Sequence, residues 1–146
     1  MARQYHKSKY TLKHPSKYIG NPLNIVARSS WERRFFIWCD NQSSVVSWSS
    51  EETVIPYVCP TDGKVHRYFV DARIKIVDKT GNAKEFLIEI KPFAQTLPPK
   101  GKRNLLEQWG TYGKNQAKWE AARHWAKKRG MEFKIITEYE LGIKKR

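Results

Sequence analysis

A chain of 146 residues with 28 Lys plus Arg against 14 Asp plus Glu carries a formal net charge of +14, and the partner this favours is a polyanion, nucleic acid first. Apolar residues make up 40% of the chain, with six Trp, seven Tyr and six Phe, which excludes global disorder and suits a single packed domain. No run approaches the ~18 apolar residues of a membrane span, and MARQYHKSKY lacks the apolar stretch of a signal peptide, so the expectation is a soluble cytoplasmic protein with no membrane partner.

Residues 1–28 mix Lys, Arg and His with Tyr, and HPSKYIGNP adds two Pro and a Gly. This reads as an irregular basic arm ending at Arg28 and suited to lie on phosphate, with Tyr18, Ile19, Leu23 and Ile25 packing down. SSWERRFFIWCDN sets Trp31, Phe35, Phe36 and Trp38 on one face and predicts a helix from Ser29 to about Cys39. VVSWSSEETVIPYVCP reads as an extended segment ending in a turn at PTDGK. Cys39 and Cys59 show no CxxC spacing, and four His are too few for a zinc site, so both are expected to be reduced thiols.

HRYFVDARIKIV, residues 66–77, alternates as one strand, with Tyr68, Val70, Ala72, Ile74 and Ile76 on its apolar face. A turn at DKTGNA leads into EFLIEIK, where Phe86, Ile88 and Ile90 oppose Leu87, Glu89 and Lys91. After the basic loop PFAQTLPPKGKR, helical sequence starts near Asn104, weakens at Gly110 and Gly113, and runs to a C-cap at Gly130; MEFKIITEYEL reads as a last strand. The order helix, three strands, helix, strand gives an α/β domain with a mixed central sheet flanked by helices.

A hairpin symmetric about Thr80 sets Asp71 directly opposite Glu89, with Lys91 on the same face. Opposed like charges with Cβ atoms ~4.5–5.5 Å apart repel. A divalent cation removes that cost, because Mg²⁺ takes one or two carboxylates and bridges to phosphate oxygens. Lys91 would then orient or deprotonate the attacking water, or offset charge developing on the phosphate. Asp62-Gly-Lys64 and Glu132-Phe-Lys134 carry the same acid-x-Lys letters, but only Glu89-Ile-Lys91 has an acid across a short turn.

HRYFVD followed by FLIEIKP resembles the PD-(D/E)xK nuclease motif. SKYIGNP, RSSWERRF, WCDNQSSVVSWSSEETVIPY and IEIKPFAQTLPP extend the likeness to the head-completion nucleases of T-even-like bacteriophages, and more distantly to the cutting subunits of Tn7-type transposases. The resemblance implies a restriction-endonuclease-like nuclease domain over residues 29–146, metal-binding acids at Asp71 and Glu89, a catalytic lysine at Lys91 and a helix-borne acid at Glu32. Val70 stands where the motif usually has proline and Ala72 where it often has an aromatic, and neither change removes a ligand. Ser29-Ser-Trp-Glu32 is also a capping box, so Glu32 is either a metal ligand or a helix cap. Gln116 resembles a glutamine that some of these nucleases place near the metal, or is a solvated helix residue.

His66 contacts phosphate or is a hydrogen-bonded strand-end residue. Lys100, Lys102 and Arg103, with Arg28, suit backbone phosphate contacts that position without reading sequence. The resulting expectation is a Mg²⁺-dependent DNA endonuclease, with Mn²⁺ substituting and no small-molecule cofactor. By resemblance it acts in phage head completion and head–tail joining, with head, portal or neck proteins as partners, in the host cytoplasm or within the virion. The alternatives are a non-catalytic DNA-binding structural virion protein on the same scaffold, and a transposase-like cutter needing a partner subunit.

Overall fold

The computed structural model describes residues 7–146. The first six residues of the expected basic arm lie outside the described residues. In chain order the elements are β1 (Ser8–Lys9), β2 (Val26–Ala27), α1 (Ser30–Asn41), β3 (Val45–Ser50), β4 (Val54–Val58), β5 (Val65–Phe69), β6 (Ala72–Val77), β7 (Ala83–Ile90), α2 (Leu105–Lys128) and β8 (Glu132–Ile136), with short 3₁₀ turns at Pro15–Lys17 and Phe93–Thr96.

The central sheet has the order β3-β6-β7-β8, antiparallel except for the parallel β7–β8 pair, which makes it the mixed sheet that was expected. Both faces of β7 are buried. Phe86, Ile88 and Ile90 join the core beneath α1, whereas Leu87 joins a second core with Trp119, Ala122 and Ala126 of α2. Two helices thus cover opposite faces of one sheet.

Helix α1 starts at its expected cap. Ser29 is extended, and its Oγ accepts a hydrogen bond from the Glu32 amide at 3.2 Å. Trp38, expected on the buried face, is 42% exposed. The buried face centres on Phe35, Phe36 and Cys39, and Trp38 falls at its edge, where it stacks on Phe35.

The described part of the arm is folded into the body. Tyr10, Tyr18 and Ile25 enter the α1 core, whereas Ile19 and Leu23, expected to pack down, are exposed. Buried Asp40 is the anchor: its carboxylate accepts from the Tyr10 hydroxyl (2.7 Å) and from the amides of Lys13 (2.7 Å) and His14 (2.9 Å). Lys17 Nζ donates to the carbonyls of Cys39, Asp40 and Gln42, satisfying groups that the end of α1 leaves open.

Residues 66–77 are not the single strand expected. The strand breaks at Val70–Asp71, opposite a second break at Glu51–Thr53, where Glu51 takes a positive φ of 55°. Val70 donates its amide to Thr53, and Glu51 donates to the Asp71 carbonyl, so the two breaks bend together. Beyond the bend β4 and β5 form their own ribbon against α2. Tyr68 and Val70 therefore pack with Leu87 on the α2 side, while Ala72 and Ile74 pack on the α1 side. The extended segment 45–58 is divided by the same bend.

Helix α2 runs unbroken through Gly110 and Gly113. A Cβ on Gly110 would lie 3.7 Å from Thr61 Cγ2, and one on Gly113 would lie 3.8 Å from Pro60 Cγ, so the β4–β5 turn rests on this stretch of helix. The last strand ends at Ile136, short of the expected Leu141, because Glu140 Oε1 accepts from both the Thr137 amide and its hydroxyl and closes a turn there.

Candidate active site

Two elements, α1 and β7, and one bend bring acids to the end of β7. The hairpin register runs Ala72↔Ile88 and Arg73↔Leu87, symmetric about Thr80. Asp71 is the next residue outward, at the bend, and its carboxylate turns to accept the Ile90 amide at 2.7 Å. Glu89 lies on the α2 side of β7 and is buried; Tyr68 donates its hydroxyl to Glu89 Oε1 at 2.6 Å, and Lys91 Nζ lies 3.6 Å from Oε2. Glu32, buried in the first turn of α1, both receives the Ser29 cap and reaches back with Oε1 to the Arg28 amide at 3.2 Å.

Electrostatics tie these groups together. Burial, then the charges of Glu89 and Glu32, push the Asp71 carboxyl well above the usual carboxylate range, against the Ile90 amide and Lys91. Burial and Glu89 likewise raise the Tyr68 hydroxyl, so it remains a proton donor. A site where neighbouring carboxylates hold back the ionisation of buried Asp71 suits a hard divalent cation, which binds through one or two carboxylates and keeps several waters. Asp71 and Glu89 would hold it, with Glu32 beside them.

Lys118 of α2 also belongs here, and the sequence reading missed it. Its Nζ lies 5.6 Å from the Tyr68 ring centre and 5.9 Å from that of Tyr57. Burial, helped by Lys91 and Lys114, lowers its pKa against the pull of Glu89 and Asp71. Adjacency to the buried Trp119 was the one signal available. Tyr68 was missed as well, because simple alternation put it on the wrong face.

The expected DNA-contacting residues divide. Arg28 lies by Glu32 in the chain, and its Nε donates to both oxygens of Glu51, at 2.9 and 3.0 Å. Lys100, Lys102 and Arg103 are exposed on the loop before α2, and Lys100 lines a groove of about 530 Å³ with Pro98, Pro99, Tyr112 and Asn115. Gln116 is half-buried and, among the described residues, forms no hydrogen bond with the acids. His66 bonds Asp62 at the far end of the β4–β5 ribbon, away from Glu89.

Residues 42–138 match the profile of a family described as TnsA-like endonuclease N terminal. The chain belongs to the TnsA-like endonuclease family. Along its length this TnsA-like endonuclease is also similar to the "Head completion nuclease" of Enterobacteria phage T4, 41% identical over 141 residues that cover 91% of each chain. The family match spans Asp71, Glu89, Lys91 and Lys118, while Glu32 lies ahead of it. No helix of this TnsA-like endonuclease is long and apolar enough to cross a membrane among the described residues.

Proposed function

We propose that the chain is a Mg²⁺-dependent DNA endonuclease, with Mn²⁺ substituting, that hydrolyses phosphodiesters during phage head completion and prepares filled heads for joining to tails. The carrying observation is the group of Glu32, Asp71, Glu89 and Lys91, supplied by α1, the Val70–Asp71 bend and β7. Asp71 and Glu89 would hold a divalent cation, with Glu32 completing the site, and the bound ion would supply Lewis acidity and a water of lowered pKa. Lys91 offsets charge that develops on the phosphate, and Tyr68 keeps Glu89 aimed. Lys118 adds positive charge from the α2 side. Arg28, Lys100, Lys102 and Arg103 hold the DNA backbone, with Gln116 as a further contact, so binding is salt-sensitive and reads little sequence.

The head-completion role rests on the similarity to the phage T4 protein, and head, portal or neck proteins are the partners proposed for this chain. The deciding experiment is nicking of supercoiled plasmid with Mg²⁺, Mn²⁺ or chelator, beside a Glu89→Ala variant. Metal-dependent nicking by the parent alone is the expected result. Failure of both proteins to cut, while both still shift DNA at low salt, would instead favour a structural DNA binder or a cutter that needs a partner subunit.

A further inference from the structure

The turn that joins β4 to β5, at the opposite end of the ribbon from Glu89, gathers a different donor set. Cys59, Asp62 and His66 each present a ligand atom, and these atoms lie within 4.8 Å of one another, the only such group of three among the described residues. Four histidines read as too few for a zinc site, yet one of them stands in this group. Spacing hid the group, because i, i+3 and i+7 is not a CxxC pattern and would share a face only on a helix, whereas here a turn and the start of β5 gather the ligands.

The turn itself does the gathering. Gly63 adopts a φ of 69°, its amide donates to the Cys59 carbonyl at 2.8 Å, and the Cys59 amide donates to the Lys64 carbonyl at 2.8 Å. Asp62 Oδ1 is held by the Lys64 amide at 2.9 Å, which leaves Oδ2 facing His66 Nε2 at 2.7 Å. Cys59 Sγ approaches from the buried side, 3.1 Å from Thr61 Oγ1. One carboxylate oxygen is thus anchored to backbone while the other points to an imidazole, with a thiol alongside.

Thiol, imidazole and carboxylate form the mixed set that Zn²⁺ takes, and three protein ligands with water in the fourth position is a common zinc arrangement. The thiol sets it apart from the all-oxygen acids at β7, which suit Mg²⁺. We propose that Cys59 Sγ, Asp62 Oδ2 and His66 Nε2 bind one Zn²⁺. As the ion binds, the Cys59 thiol proton passes to solvent and the proton between Asp62 Oδ2 and His66 Nε2 leaves Nε2, the neutral imidazole keeping its N–H at Nδ1, so both atoms of that hydrogen bond become ligands. The ion clamps a turn whose Pro60 and Thr61 rest on Gly113 and Gly110 of α2, and so steadies the half of the helix that leads to Lys118.

The test uses the full chain, stripped with chelator and titrated with Co²⁺ and then Zn²⁺. The expected result is one Co²⁺ per chain with a near-ultraviolet thiolate-to-cobalt band, displaced by one equivalent of Zn²⁺ and unaffected by excess Mg²⁺. Cys59→Ser should abolish the band. His66→Ala, at an exposed position, should weaken zinc binding by more than the ~10–100-fold cost of losing an outer-shell partner, and should remove the zinc-induced rise in melting temperature. Glu89→Ala should keep both metal and band. Absence of the band in the parent overturns the proposal, as does zinc binding that survives His66→Ala or disappears in Glu89→Ala. If Cys59→Ser does not fold, the parent and His66→Ala still decide.

Discussion

The Tyr68 hydroxyl donates to Glu89 Oε1 at 2.6 Å, across the bend that separates the β4–β5 ribbon from the central sheet. A side chain from one hairpin therefore sets the orientation of an acid in another. Tyr68→Phe leaves the ring in the core but takes the donor from a buried carboxylate. The Mg²⁺ concentration for half-maximal cutting should rise ~10–100-fold with the fold intact, as measured by nicking across a metal titration.

Asp71→Asn should abolish cutting while stabilising the metal-free protein at neutral pH. The Asn oxygen still accepts the Ile90 amide, and the repulsion from Glu89 and Glu32 is gone. Because the folded Asp71 pKa is raised, its contribution to stability is full below the unfolded value of ~3.9 and is lost as pH rises through the folded value. Denaturant unfolding in chelator should show parent stability falling over that upward range relative to Asp71→Asn. The gain expected at neutral pH is on the order of 1–3 kcal/mol, the scale of close like charges at an effective dielectric near 20.

Lys118→Met keeps the aliphatic packing against Tyr57 and Tyr68 but removes the charge beside Glu89. Turnover should fall ~10²-fold or more, the scale of losing one preorganised electrostatic partner, with DNA affinity at low salt little altered. A loss of affinity with unchanged turnover would demote Lys118 to an ordinary phosphate contact.

Asp40→Ala should cost about 3 kcal/mol, since three hydrogen bonds converge on one carboxylate. Burial opposes ionisation of Asp40, but the amides of Lys13 and His14 and the Tyr10 hydroxyl outweigh it and lower its pKa. Its stabilisation is present above the ordinary carboxylate pKa and is lost as pH falls through the depressed folded value. Hydrogen exchange at Lys13 and His14 should speed up in the variant before any change reaches β7.

Gly110→Ala and Gly113→Ala should each stabilise α2 by about 0.5–1 kcal/mol, because both sites lie in helix and the added Cβ meets only ordinary contacts with Thr61 and Pro60. Thermal unfolding of the two single variants measures this directly.

Where local chemistry was enough, the sequence could be read. Ser29 marked the start of α1, the turn around Thr80 set the β6–β7 register, and alternation in residues 85–91 put Glu89 and Lys91 on one face. Features decided by distant chain were not legible. The break at Val70–Asp71 depends on pairing with Thr53 and Glu51, so alternation counted through it sent Tyr68 to the wrong core. Lys118 lies 29 positions from Glu89 and meets it only because α2 packs on the sheet. Trp38 and Asp40 are two residues apart on one helix, yet the tryptophan is exposed and the aspartate is buried, because the arm's amides supply partners for a carboxylate.

The parallel edge of the sheet carries a consequence for biosynthesis. Lys91 donates its amide to the Ile136 carbonyl at 3.0 Å, so the residue after β7 is tied down only when β8 has docked. A parallel pair cannot close through a local turn; the whole of α2 must first cross over, which makes this pairing a late event in folding. On the ribosome, Asp71 and Glu89 meet as a hairpin well before residue 136 joins the sheet. In this member of the endonuclease family, the residue that follows Glu89 and Ile90 is therefore expected to be fixed last.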